Sequence, residues 1–245
     1  MNKTLIVVCA ALGLAGCKEL QPVLDQVKPV LKEQMGQQGG ITSLQMAEAI
    51  KQALSQGLGD SVSLLGKVQG FSLSELYRIP LPQQLDKPAT ILRQLGQGSR
   101  VDEFEARLNL AAEQSVAQAK PIFTSAVKSM TISDALNIMQ GPDNAATVYF
   151  QGRTENSLRQ AFQPIIQKAT AETGLTSSYK KLADKIRLYA PAYGSQLVDI
   201  DQYVLDKAMF SLFDRIGHEE KLIREQPLKR STELMKTVFG HFDKR

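Results

Sequence analysis

Cysteine is nearly missing from this chain: there are two in 245 residues, Cys9 and Cys17, both close to the N-terminus. Nothing beyond Cys17 can therefore form a disulfide, a zinc ribbon or a cysteine nucleophile. Histidine is equally scarce, with only His218 and His241, both late in the chain. The chain contains no Gly-x-Ser-x-Gly elbow, phosphate-binding loop or dinucleotide fingerprint. No block of five or six like charges occurs, so no basic arm or acidic tail is present. Stretches of alternating β-branched residues are also missing, which argues against a sheet. What is there is ordinary: 43% hydrophobic and 22% charged residues, with 17 Gly and 10 Pro. That apolar content suffices for a buried core and excludes general disorder and collagen-like repeats.

The N-terminus reads as an address. Met1 to Lys3 form a short positive region, Leu5 to Leu14 an apolar stretch, and Ala15 and Gly16 the small residues that precede a cleavage point. The apolar stretch is too short for a spanning helix, so residues 1–16 are expected to be a removed signal peptide. The order Leu14, Ala15, Gly16, Cys17 resembles a bacterial lipobox. The resemblance implies that the Cys17 thiol carries diacylglycerol and that the new amino terminus is acylated. Several acyl chains hold a domain at a bilayer, whereas one holds it only marginally. By resemblance to bacterial lipoprotein sorting, Lys18 after the cysteine points to the periplasmic face of the outer membrane. Net charge is +4 for the whole chain. Loss of Lys3 with the leader leaves a mild positive excess, read as solvated surface with weak attraction to anionic lipid. That address puts nucleic acid out of reach.

Residues 17–40 read as a lipidated tether, with Pro22, Pro29 and a Gly/Gln-rich end. Beyond it the period is helical. Met46, Ile50, Leu54, Leu58, Val62 and Leu65 share one face, with Gly57 and Gly59 marking either a break or a close approach of another backbone. Residues 70–88 hold Pro80, Pro82 and Pro88 and read as an extended loop with apolar side chains. Val101, Phe104, Leu108, Ala112 and Val116 make the next stripe, with Ser99 as its cap, and Pro121 interrupts or kinks it. Thr131 and Asp134 have the spacing of a cap, Pro142 fits the first turn of a further helix, and a helix from about Thr154 meets a kink or break at Pro164. Further helical stripes run through Tyr179 to Tyr189, through Leu205 to Ile216 after a cap at Asp199 or Asp201, and from Ser231 to Phe239. The expected fold is all-α, a single domain over residues 41–242 with about eight to ten helices.

Candidate chemistry is thin. His218, Glu219 and Glu220 superficially suggest a metal site, but a zincin needs a second histidine where Leu222 stands, so these residues read as an exposed helix face. Asp199, Asp201 and Asp206 do not meet the EF-hand pattern and read as capping groups. Glu103 and Glu105 point in opposed directions on a helix, which is poor placement for sharing a proton. Gly96, Gln97 and Gly98 read as a turn. Tyr149, Phe150, Tyr179, Tyr189 and Tyr193 could line an apolar cavity, and Arg78, Arg153 and Arg215 could meet a phosphate or carboxylate. Aromatics at helical spacing belong more commonly to a core. No catalytic, cofactor or metal residue is assigned.

Several segments together resemble an uncharacterised bacterial family, the domain of unknown function 4197. They are Arg78 to Pro82 (RIPLP), Ala119 to Phe123 (AKPIF), Met130 to Ala135 (MTISDA), Gly141 to Phe150 (GPDNAATVYF), Asp201 to Phe213 (DQYVLDKAMFSLF) and Glu219 to Gly240. The chain departs from the family at Ser72 to Glu75, where the family is Asn-rich. The resemblance implies a helical envelope lipoprotein and transfers no catalytic residue. The expectation from sequence is thus an envelope protein anchored at Cys17, acting as a non-enzymatic module that binds a protein or another envelope component. The alternative is a carrier of a lipid or other apolar ligand, with an enzyme as the least favoured reading.

Overall fold

The computed structural model describes residues 40–172, 174–193 and 198–243. The expected signal peptide, Cys17 and the expected tether up to residue 39 lie outside the described residues. Nine α-helices and no strands are present among the described residues. They are α1 (Ser43–Leu65), α2 (Asp86–Gln94), α3 (Gly98–Ala117), α4 (Lys120–Lys128), α5 (Ile132–Gln140), α6 (Ala145–Glu172), α7 (Leu175–Tyr189), α8 (Ile200–Glu225) and α9 (Glu233–Phe242). Short 3-10 turns at Gln83–Leu85, Pro191–Tyr193 and Pro227–Lys229 fill corners between them. The residues from Leu44 on make one unit, an all-α globular domain.

The longest helices, α6 and α8, pack against each other, and α3 lies against α2, α6, α7 and α8. The predicted stripe of α3 is its buried side: Val101, Phe104, Leu108, Ala112 and Val116 are all out of contact with water. Phe123 of α4 joins α6 and α8 through Phe150, with ring centres 5.6 Å apart, and through Phe213 edge-on at 6.2 Å. Burying each such ring contributes about 2–3 kcal/mol. In α1 the helix does not break at its glycines. A Cβ on Gly57 would stand 3.3 Å from the Cβ of Glu219, so this position lets α1 approach α8 closely.

Local signals set several ends. Thr131 and Asp134 form a reciprocal capping box at α5, and Asp199 accepts from the Gln202 amide at 2.9 Å to cap α8. Other ends differ from expectation. Helix α3 begins at Gly98 without a side-chain cap, so Ser99 is not one. The cap of α9 is Thr232 rather than Ser231.

The largest departure is α6, a single helix of 28 residues that starts at Ala145 and passes through both Gly152 and Pro164. A proline inside a helix costs about 3 kcal/mol. Here its neighbours Leu158, Phe162 and Ile166 are buried, while Pro164 faces solvent, where the unpaired carbonyl can be hydrated. Core burial on both sides of the proline outweighs the local penalty.

Candidate functional site

Between α1 and the Gln83–Leu85 turn the chain runs through residues 66–82 without regular structure. A loop this long inside a compact domain is uncommon and typically functional. It is held along α3 by three polar residues spaced four apart, Glu105, Asn109 and Glu113, which share one face beside the apolar stripe. The buried Glu113 carboxylate accepts the backbone amides of Gln69 (3.1 Å), Phe71 (3.1 Å) and Ser72 (3.2 Å) and the Ser72 hydroxyl (3.1 Å). Gln69 has a φ of +64°, a left-handed conformation that a side chain disfavours, and the charge-assisted bond to its amide offsets that strain. Buried Asn109 pairs with both backbone groups of Ile79, accepting its amide at 2.8 Å and donating to its carbonyl at 3.0 Å. Glu105 takes the Arg78 guanidinium at 2.7 Å.

Helix α8 grips the other side of the loop. The Tyr77 hydroxyl donates to Asp214 at 3.0 Å, and the Tyr203 hydroxyl donates to the Pro80 carbonyl at 2.9 Å. Burial, reinforced by the Asp214 carboxylate, pushes the Tyr77 phenol up to about 12. Burial also raises Tyr203 to about 12, helped by the charges of Asp86 and Glu105. Both phenols are thus held neutral in the folded state. Their contribution to stability is complete below the ordinary phenol value of 10.0 and is lost as pH rises through about 12. Urea unfolding at increasing pH should show stability falling above 10, and falling less steeply in Tyr77→Phe. Parallel curves for the two proteins would show that the Tyr77 proton carries no such weight.

The clamp presents large apolar side chains to water. Val68, Leu73 and Leu76 are 82%, 72% and 83% exposed, while Phe71 between them is fully buried and pins the loop to the core. Two open depressions adjoin it. One, of about 860 Å³, runs between α3, the start of α4 and α6, floored by Ala117, Pro121, Ile122, Ala161, Pro164 and Ile165. The other, of about 510 Å³, lies between α6 and α8 and includes Val148, Phe210, His218 and Lys221. A partly open, mostly apolar cleft where α1, α6, α8 and α9 meet is only about 20 Å³, room for about one water.

The residues singled out in the sequence do not converge. His218 is exposed, but Glu219 and Glu220 are buried, which corrects the reading of the three as one exposed face. Glu219 pairs with Arg215. Glu220 caps α6, accepting the amides of Ala146 (2.9 Å) and Thr147 (2.8 Å) and the Thr147 hydroxyl (2.7 Å), and it also pairs with Arg224. Asp201 accepts from Thr170 and Asp206 from Arg159. Glu103 pairs with Arg107 on its own helix.

The aromatic set disperses as well. Phe150 is in the core, Tyr179 stacks on Phe104, and Tyr189 lies under Lys185 at the surface. Arg153 stands over Tyr149. Among the described residues no cluster of three or more His, Cys, Asp or Glu has the arrangement of a metal site.

Four buried polar residues that hold the fold were not singled out or were misplaced by sequence reasoning: Asn109, Glu113, Glu220 and Arg230. A signal existed for the first two, since Glu105, Asn109 and Glu113 recur at helical spacing on the flank of an apolar stripe. None existed for Arg230, whose partners depend on how two helix ends meet. It donates to the Ile223 and Arg224 carbonyls at the end of α8 (3.0 and 2.7 Å) and is bidentate to Asp243 (2.6 and 2.8 Å).

No helix among the described residues is long and apolar enough to cross a membrane. No curated protein matches the chain, and no solved structure does. A family model does, and its match over residues 40–240 takes in the clamped loop, both of the helices that grip it and Arg230. The chain therefore belongs to the family described as "Protein of unknown function (DUF4197)".

Proposed function

We propose that this protein is an envelope lipoprotein, anchored through Cys17 on the periplasmic side of the outer membrane. Its helical domain acts as a non-enzymatic module that binds an envelope component through the loop of residues 66–82. The observation that carries this reading is the display of Val68, Leu73 and Leu76 in water by a loop bonded to both α3 and α8. Exposed apolar groups gain free energy only when something covers them, and fixing them in place beforehand lowers the ordering cost of binding. The buried carboxylates Glu113 and Glu220 favour a binding role over catalysis, because backbone amides and hydroxyls already occupy them.

Two measurements test it. Radiolabelled palmitate should enter the wild-type chain and be lost with Cys17→Ser; equal labelling of the two would remove the anchor. Crosslinking in intact cells should join the loop to an envelope component, and the double variant Leu73→Asp, Leu76→Asp should lose at least about nine-tenths of that product. Equal yields from both proteins would remove the loop as the binding surface.

A second reading, a carrier of an apolar ligand, is favoured by the open groove of about 860 Å³ between α3, α4 and α6. It requires a copurifying acyl species in native mass spectrometry. The cleft of about 20 Å³ where α1, α6, α8 and α9 meet could not hold one without repacking.

A further inference from the structure

We infer that the loop's partner is the lipid bilayer itself, with Val68, Leu73 and Leu76 inserted at the boundary between headgroups and acyl chains. The inference rests on the membrane-attached reading above and adds the identity of what the loop meets.

The first support is the state of the loop's backbone. A segment entering a poorly hydrated layer must satisfy its amides without water, since each unpaired one costs several kcal/mol there. Here the amides of Gln69, Phe71 and Ser72 go to Glu113, and that of Ile79 goes to Asn109. Those of Gly70, Leu73, Ser74 and Arg78 go to loop carbonyls, and that of Tyr77 goes to the Ser74 hydroxyl. Nine of the loop's amides, between Gln69 and Ile79, are paired in this way, which limits the unpaired backbone to a few positions, Val68 and Leu76 among them, that headgroup water must reach.

The second support is composition around the apolar groups. Lys67 precedes Val68 and Arg78 follows Leu76 by two residues, both exposed, so a cation stands at each end to meet lipid phosphate. Arg78 shares its charge with Glu105. Ser72, Ser74 and Glu75 interrupt the apolar set and suit the headgroup level, where water remains. Phe210 extends the surface. It is exposed and lies on the same stripe of α8 as Tyr203 and Asp214, between the two residues that grip the loop.

The third support is reach. Residues 17–40 could span at most roughly 75–80 Å, and a domain of this size has a radius of gyration of only about 16–17 Å. The length of the chain between Cys17 and Gly40 therefore allows the loop to face the bilayer.

The sequence has no tryptophan, so Leu76→Trp places a single indole in the full-length chain. The protein is reconstituted into vesicles of phosphatidylethanolamine and phosphatidylglycerol carrying brominated acyl chains. Leu188→Trp, at an exposed site on α7, serves as the comparison. The expected result is a blue-shifted emission for Leu76→Trp, quenched at least about twofold by brominated lipid, with Leu188→Trp unshifted and unquenched. Val68→Trp should behave as Leu76→Trp does and serves if that variant folds poorly by circular dichroism.

Emission at residue 76 as water-like and unquenched as at residue 188 overturns the inference. So does shielding of residue 76 that appears only when a crosslinked protein is present. The readout sits on the loop, so it separates from the anchor. Quenching without palmitate incorporation keeps the loop and removes the anchor, whereas palmitate incorporation without quenching does the reverse.

Discussion

Glu113→Ala is expected to lower the unfolding free energy by about 3–5 kcal/mol, because it strands buried donors rather than merely deleting one contact. Three backbone amides and one hydroxyl converge on this carboxylate. The residue is buried, so water cannot replace it without opening the loop. Glu113→Gln keeps one oxygen but turns an N–H₂ group toward a donor, so it should recover only part of the loss. Urea unfolding gives the magnitude. Hydrogen exchange gives the location: the amides of Gln69, Phe71 and Ser72 should lose protection before those of α3. Uniform loss of protection, or a change below about 1 kcal/mol, would mean that the loop is held by something else.

Arg230→Ala should cost about 2–4 kcal/mol. The guanidinium is only 1% exposed. It serves the last turn of α8, where carbonyls lack partners in the helix, and it lies over the Phe239 ring. Arg230→Lys should restore little, since an ammonium cannot make the bidentate bond to Asp243.

The pair also predicts an acid response. The Arg230 guanidinium holds the Asp243 carboxyl below its ordinary value of 3.8. That contribution is present above the unfolded value and is lost as pH falls through the lower, folded one. Asp243 is more than a third exposed, so solvent screens part of it. Asp243→Asn should therefore lower stability at neutral pH and flatten its decline below about pH 4. An unchanged acid profile would show that this carboxylate does not drive the decline.

Much of the helical architecture was legible because it depends on near neighbours. The α3 stripe, the Thr131 and Asp134 box and the Asp199 cap each involve residues within a turn or two of one another. Periodicity also separated the loop around Pro80 and Pro82 from the helices. Of the two outcomes left open at Pro164, a kink or a break, the helix does not break, because the burial of Phe162 and Ile166 against other helices outweighs the local penalty. Glu219 and Glu220 were misread for a related reason: a carboxylate looks solvent-facing until a helix start from far along the chain supplies amides to it.

The candidate site followed the same division. The residues now seen to display the loop come from three segments far apart in sequence, Asn109 and Glu113 at helical spacing on α3, Tyr77 in the loop and Tyr203 on α8, and no motif spacing joins the three. By itself, the order of residues determined that this is an all-α protein of the DUF4197 family with almost no thiol or imidazole to deploy. Only the tertiary structure decided that a proline-containing loop would be clamped with its leucines outward. Helical period reports which side of an element is apolar, whereas the identity of the group arriving from another element is set by packing across long sequence separations.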